Sequence, residues 1–149
     1  MTFDQILSSL KKREFRPVYF LHGNEPFYID TLSKYIEENV LDEAQRSFNQ
    51  TILYGKDTDA RTVKDVAARY PMMAERQVVI LKEAQEMRDL KDLQSYIEKP
   101  VETTVLVICH KHKRFNARSK FGQALKKQAM VLESKKLYDN QVAGWIRTY

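Results

Sequence analysis

A chain of 149 residues with 43% hydrophobic and 30% charged side chains has the size and balance of one globular domain with a real core, and residues 1–149 are read as a single domain. No apolar run reaches the roughly 18 residues of a membrane-spanning helix, Met1–Gln5 lacks the basic and apolar regions of a signal peptide, and the single Cys109 has no internal disulfide partner. These features suit a cytoplasmic protein, and three His with one Cys at no ligand-pair spacing predict no metal site and no cofactor. The net charge of +5 is unevenly spread: between His110 and Lys136 nine Lys/Arg oppose one acid, Glu133, while the remainder holds sixteen basic and nineteen acidic residues. Such local basicity points to a polyanion-facing surface.

In chain order, Phe3, Ile6, Leu7 and Leu10 fall at helical spacing over Phe3–Lys12, and Arg16-Pro17 ends that segment. Val18–Leu21 is a short apolar run that reads as a buried strand. Glu25–Val40 reads as a helix, with Pro26 suited to its first turn and a stripe of Phe27, Leu32, Tyr35, Ile36 and Val40. Glu37-Glu38 and Asp42-Glu43 read as solvated charge at helix ends. Phe48–Leu53 is predicted as a strand closed by Gly55, and Asp59 as the cap of a helix running to Arg69. Val78–Leu81 is a fully apolar, β-branched run typical of a central parallel strand. A helix over Asp89–Glu98, a strand over Thr103–Cys109, a helix over Ser119–Lys127, a strand over Met130–Leu132 and a helix over Tyr138–Tyr149, with Val142, Trp145 and Ile146 inward, complete the series. Five alternations of strand and helix predict an α/β fold: a parallel five-stranded sheet flanked by helices. The chain stops within or just after a helix, so it reads as a piece of something longer.

Three stretches bear on function. The strand, Gly turn and helix start over Tyr19–Asp30 form the frame in which a nucleotide-binding fold puts its phosphate loop. With Gly23 as first glycine, the positions of the second Gly, the Lys and the Ser/Thr are held by Tyr28, Ile29 and Asp30. Gly23, Asn24 and Glu25 therefore read as a degenerate phosphate loop in which Gly23 serves the turn. The strand Val78–Leu81 ends in Lys82-Glu83 where a hydrolase would carry Asp-Glu for Mg²⁺, and a Lys there repels the cation. The second stretch, Tyr70-Pro71-Met72-Met73, places apolar residues between a helix and a strand, where polar turn residues are the rule. It is either a partner-docking tip or a turn in which one or both Met fold back into the core. The third, Lys111, Lys113, Arg114, Arg118 and Lys120, has no acid among its neighbours; it is either a face that neutralises DNA phosphates or a solvated charged loop. No Ser-His-Asp set, Cys-His pair or paired carboxylates suggests catalysis.

Three of these segments also resemble a known family. Val18–Phe27 is similar to its hydrophobic strand followed by Gly-x-[Glu/Asp]-Pro. Tyr70–Val79 resembles its element of two apolar residues, a small one, x, Arg, x and an apolar strand. Val105–Ile108 leading into Lys111–Lys120 resembles its later strand and basic segment. The family is the delta subunit of bacterial DNA polymerase III, part of the sliding-clamp loader, and the similarity is to its N-terminal domain. The resemblance implies an AAA+-type fold, related to P-loop nucleotide hydrolases, that has lost ATP binding and is catalytically silent. It implies binding and ring opening of the sliding clamp (beta subunit) through Met72 and Met73, flanked by Tyr70 and Pro71. It further implies other clamp-loader subunits as partners, DNA contact through the assembled complex and no membrane role. Met-Met departs from the Leu-Phe or Pro-Leu-Phe common there. The family's helical lid and collar domains have no counterpart in these 149 residues. Two other readings stand beside this one: a divergent nucleotide-binding hydrolase, and a simple DNA-binding domain using the 110–120 loop.

Overall fold

The computed structural model describes residues 2–113 and 115–135. Five strands form one parallel sheet in the order β2-β3-β4-β1-β5: β1 Val18–Gly23, β2 Gln50–Tyr54, β3 Gln77–Lys82, β4 Thr104–Lys111 and β5 Met130–Ser134. β1, β3 and β4 lie inside the sheet and read as unbroken apolar runs because both of their faces are covered. Successive side chains point to opposite faces. Val18, Phe20, Val79, Leu81, Leu106 and Ile108 enter a core beneath α4 (Ala60–Ala67), α5 (Gln94–Glu98) and α6 (Lys120–Gln128). Tyr19, Leu21, Val78, Ile80, Val105 and Val107 enter a second core beneath α1 (Phe3–Lys11) and α2 (Pro26–Asn39).

The predicted five-stranded parallel sheet is present, with local corrections. Residues 43–49 form a further helix, α3 (Glu43–Asn49), so Phe48 is helical and β2 begins at Gln50. Asp42 is the N-cap of α3: its carboxylate accepts the Gln45 N–H at 2.8 Å while the Gln45 side chain accepts the Asp42 N–H at 3.3 Å. It is a cap rather than loose charge. Residues 90–98 are a 3-10 turn followed by the short α5, not one helix. Asp89 does not cap that segment; its carboxylate takes the Ala60 N–H at 3.1 Å and so holds the first turn of α4. β4 runs on through His110 and Lys111, two residues beyond the predicted end. The helix predicted over Tyr138–Tyr149 lies outside the described residues.

Candidate functional site

The phosphate-loop frame and the apolar tip occupy opposite ends of the sheet. β1, β3 and β4 all finish at the first end, and Gly23 closes β1 there with φ at +132°. A Cβ on Gly23 would lie 1.8 Å from the Ser134 carbonyl oxygen, so β5 is pressed against the turn and only glycine fits. Ser134 is bonded into the loop: its Oγ donates to the Glu25 carbonyl at 2.6 Å, and its own carbonyl accepts the Glu25 N–H at 3.3 Å. The Glu25 carboxylate N-caps α2 by accepting the Phe27 N–H at 3.2 Å. A carboxylate thus takes the helix N-terminus that would face a phosphate. Asn24 is the exposed middle residue of this turn.

Beside the turn, a cavity of about 310 Å³ is lined by Asp30, Glu37 and Glu83 and by Lys34, Lys82 and Lys111. Four of these six charges meet in pairs: Lys82 Nζ lies 3.3 Å from Glu37, and Lys111 Nζ lies 2.5 Å from Asp30. Burial works against the Lys111 ammonium, but the hydrogen bond and charge of Asp30 outweigh it and lift its pKa above the usual lysine value. Cys109, on the wall of the same cavity, is buried, and desolvation pushes its thiol up to about 11, which disfavours the thiolate. The misfit residues singled out in the sequence therefore have structural partners: Asp30 holds Lys111, and Lys82 holds Glu37.

The basic segment divides. Lys111 belongs to β4 and its charge is spent on Asp30. Lys113 is exposed, with Nζ 3.8 Å from Glu86 and within 3.4 Å of the Gln85 carbonyl. Arg118 and Lys120 are exposed around the start of α6, where Ser119 caps the helix by accepting the Gly122 N–H at 3.0 Å. A lysine at a helix N-terminus opposes the local dipole, so Lys120 adds positive potential to an already positive end. Arg114 lies outside the described residues.

At the opposite end of the sheet, residues 68–76 connect α4 to β3. Tyr70, Met72 and Met73 are exposed, Met73 to 99%, which excludes the alternative that the two Met fold back into the core. Pro71 is half-buried at the base of this turn. Met73 takes a left-handed backbone conformation at φ +56°, uncommon for a residue other than glycine. The ends of the turn are firmly held. Gln77, buried at the start of β3, places its two-hydrogen Nε2 amide within bonding distance of the carbonyls of Val66 (3.0 Å) and Ala67 (3.3 Å) at the end of α4 and of Arg69 (2.8 Å) just beyond it. Thr104 Oγ1 donates to the Ala67 carbonyl at 2.6 Å and accepts from Gln77 at 3.0 Å. On the far side, the Arg76 guanidinium lies 4.9 Å over the Phe15 ring. Finally, Asn49 at the end of α3 accepts the Met72 N–H at 2.6 Å and donates to the Met72 carbonyl at 2.8 Å.

Asn49, Gln77 and Thr104 were not singled out from sequence. Asn49 had a readable trace: Asp42-x-x-Gln45 is a capping box, and it marks a helix that must end just before β2. Gln77 sits where an apolar strand begins, and only the three-dimensional position of the α4 carbonyls shows what it does.

A family model, DNA polymerase III, delta subunit, matches residues 19–135 of this chain. The DNA polymerase III subunit delta of Bacillus subtilis (strain 168) is 32% identical over 148 residues, covering 92% of this chain and 42% of that protein. The solved structure of the Bacillus subtilis DNA clamp loader delta protein (YqeN) superposes with a TM-score of 0.86 at 27% identity, covering 96% of this chain and 45% of that one. A DNA polymerase III gamma subunit-related protein from Thermotoga maritima, at 16% identity and a TM-score of 0.55, shares the fold. The AAA+-like architecture expected from the resemblance is the one observed. The chain spans less than half the length of the relatives from Bacillus subtilis.

Proposed function

The chain belongs to the DNA polymerase III delta subunit family, and on that premise we propose that it is the N-terminal AAA+-like domain of a clamp-loader delta subunit, which grips the DNA sliding clamp through Met72 and Met73 and helps to open its ring. The observation that carries this is Met73: a large apolar side chain, 99% exposed, on a backbone tied down at both ends. Burying an exposed methionine in an apolar pocket contributes about 1.5–3 kcal/mol. A tip already held in one conformation loses little entropy on binding. Tyr70 and Pro71 flank the pair and shape its approach.

Gripping favours an open ring only to the extent that the tip fits the open form better than the closed one. The ATP that drives loading is handled by other subunits, because here the helix N-terminus holds the Glu25 carboxylate and the neighbouring charges are paired with one another. Lys113, Arg118 and Lys120 are exposed and supply sequence-independent phosphate contacts once the loader is assembled at DNA. The setting is the cytoplasmic replication machinery; no helix among the described residues is long and apolar enough to cross a membrane.

The test is clamp binding by the full chain. Replacing Met72 and Met73 together by Ala is expected to cost about 2–4 kcal/mol of affinity for the cognate sliding clamp. Calorimetric titration reads this directly, and an unchanged Kd in a folded double variant sinks the proposal.

A further inference from the structure

Among the described residues the large hydrophobic side chains with the greatest exposure are Met73, Tyr70, Phe48 and Met72; Tyr54 and Phe27 follow at 49% and 44%. Three of the first four lie in the tip. The fourth, Phe48, is 73% exposed and comes from α3, more than twenty positions earlier in sequence. Its neighbour Asn49 joins the two segments. Asn49 is 3% exposed, and its carboxamide is fully engaged: Oδ1 accepts the Met72 N–H, while Nδ2 donates to the Met72 and Gln45 carbonyls.

We propose that the last turn of α3 belongs to the same docking surface as the tip: Asn49 sets the pose of Met72 and Met73, and Phe48 is a third apolar anchor on the same partner. This rests on the proposed function, so the partner is the sliding clamp. The register explains the arrangement. Gln50 of β2 pairs with Val78 of β3, so Asn49 stands one step further out, beside the start of β3 where the tip ends. A carboxamide that bonds both the N–H and the C=O of one residue fixes the backbone of that residue as a neighbouring strand would. Met73, next in line, holds a left-handed conformation that a methionine abandons when nothing restrains it. Phe48 is one Cα step, about 3.8 Å, from the residue that makes this clamp, so an exposed aromatic stands next in sequence to the anchor of the tip. A single exposed aromatic is ordinary on a protein surface. This one is the sequence neighbour of Asn49, whose side chain makes two hydrogen bonds to the Met72 backbone, and that adjacency assigns Phe48 to the surface of the tip.

The experiment uses the full chain and the cognate sliding clamp, with Kd from calorimetry, Tm from calorimetric unfolding and the Met72 amide followed by hydrogen exchange. Phe48→Ala is expected to raise Kd about tenfold with Tm unchanged. Asn49→Ala is expected to speed exchange of the Met72 amide and raise Kd about tenfold, and to add less than twofold in the Met72→Ala/Met73→Ala background, because it acts only through those side chains. Should Asn49→Ala fail to fold, Asn49→Asp retains the acceptor for the Met72 N–H but loses the donor, and an intermediate Kd is expected. If the Met pair matters but Phe48→Ala binds as tightly as wild type, or if the Met72 amide is freed with no change in Kd, this inference is overturned while the proposed function stands. If the Met72→Ala/Met73→Ala variant itself binds normally, the proposed function fails and this inference with it.

Discussion

The two ends of the sheet, about 20 Å apart along six-residue β3, treat the same chemical resources in opposite ways. At the end where the strands finish, the charges around the phosphate-loop frame are turned inward: Lys111 is held by Asp30, Lys82 by Glu37, and the Glu25 carboxylate by the first turn of α2, while Lys113, Arg118 and Lys120 stay exposed beside them. At the end where they begin, the hydrogen bonds are inward and the apolar surface faces out: Gln77, Thr104 and Asn49 hold the backbone while Tyr70, Met72 and Met73 protrude. A helix N-terminus filled by the protein's own carboxylate has no vacancy for a phosphate. A rigid loop with exposed methionines has apolar area to bury on a partner. On the proposed function, the phosphate-loop frame serves as structure and the tip serves a partner.

That contrast predicts which end a mutation damages. The largest effect is expected at Gly23. Its +132° φ and a Cβ position 1.8 Å from the Ser134 carbonyl leave Ala no room, and Gly23→Ala is expected to destabilise the fold by at least about 3 kcal/mol. For a domain of this size that is a fall in Tm of roughly 6–12 °C. Clamp affinity measured per folded molecule should be unaltered; a large change there would mean that the two ends are coupled. Gln77→Ala comes next, at about 1–3 kcal/mol, because it removes a buried amide that bonds the Val66 and Arg69 carbonyls and Thr104. Unlike Gly23→Ala, it loosens the base of the tip and is expected to weaken clamp binding as well, read as a Kd that rises by more than the unfolded fraction explains.

The sheet was legible because Val18–Leu21, Val78–Leu81 and Val105–Ile108 are apolar enough to announce strands buried on both faces. That the Lys and second Gly of a phosphate loop are missing was legible directly, since it is a statement about residue types rather than geometry. What replaced them was not. Asp30 and Lys111 are far apart in sequence, and Ser134 reaches Glu25 only because β5 returns beside β1. The tip shows the same division. Its apolar residues stand out in the sequence, but their exposure depends on Asn49, Gln77 and Thr104, polar residues of ordinary appearance whose partners are backbone groups from other elements. Residues 43–49 were missed as a helix because so short a segment shows little periodicity, and its capping box was the one local sign.

The smallest effect separates the two ends by pH. His22 and His110 lie towards the finishing end of β1 and β4, around Phe20 and Phe115. Burial is the main cause that lowers both imidazoles below the ordinary value of 6.5; Glu133 partly offsets it for His22, while His22 and Lys113 reinforce it for His110. The unfolded chain therefore binds these protons more readily than the folded one. Stability is full above about 6.5 and falls as the pH drops from there through the lower folded values. Tyr70–Arg76 contains no histidine. The Tm of the chain is thus expected to decline between pH 7 and pH 5, with a shallower slope in His22→Asn/His110→Asn, while exchange protection of the Met72 amide, corrected for intrinsic rate, holds steady wherever the protein remains folded. Loss of that protection in step with Tm would mean that the tip opens with the histidine end, and that the fold does not keep its two ends apart.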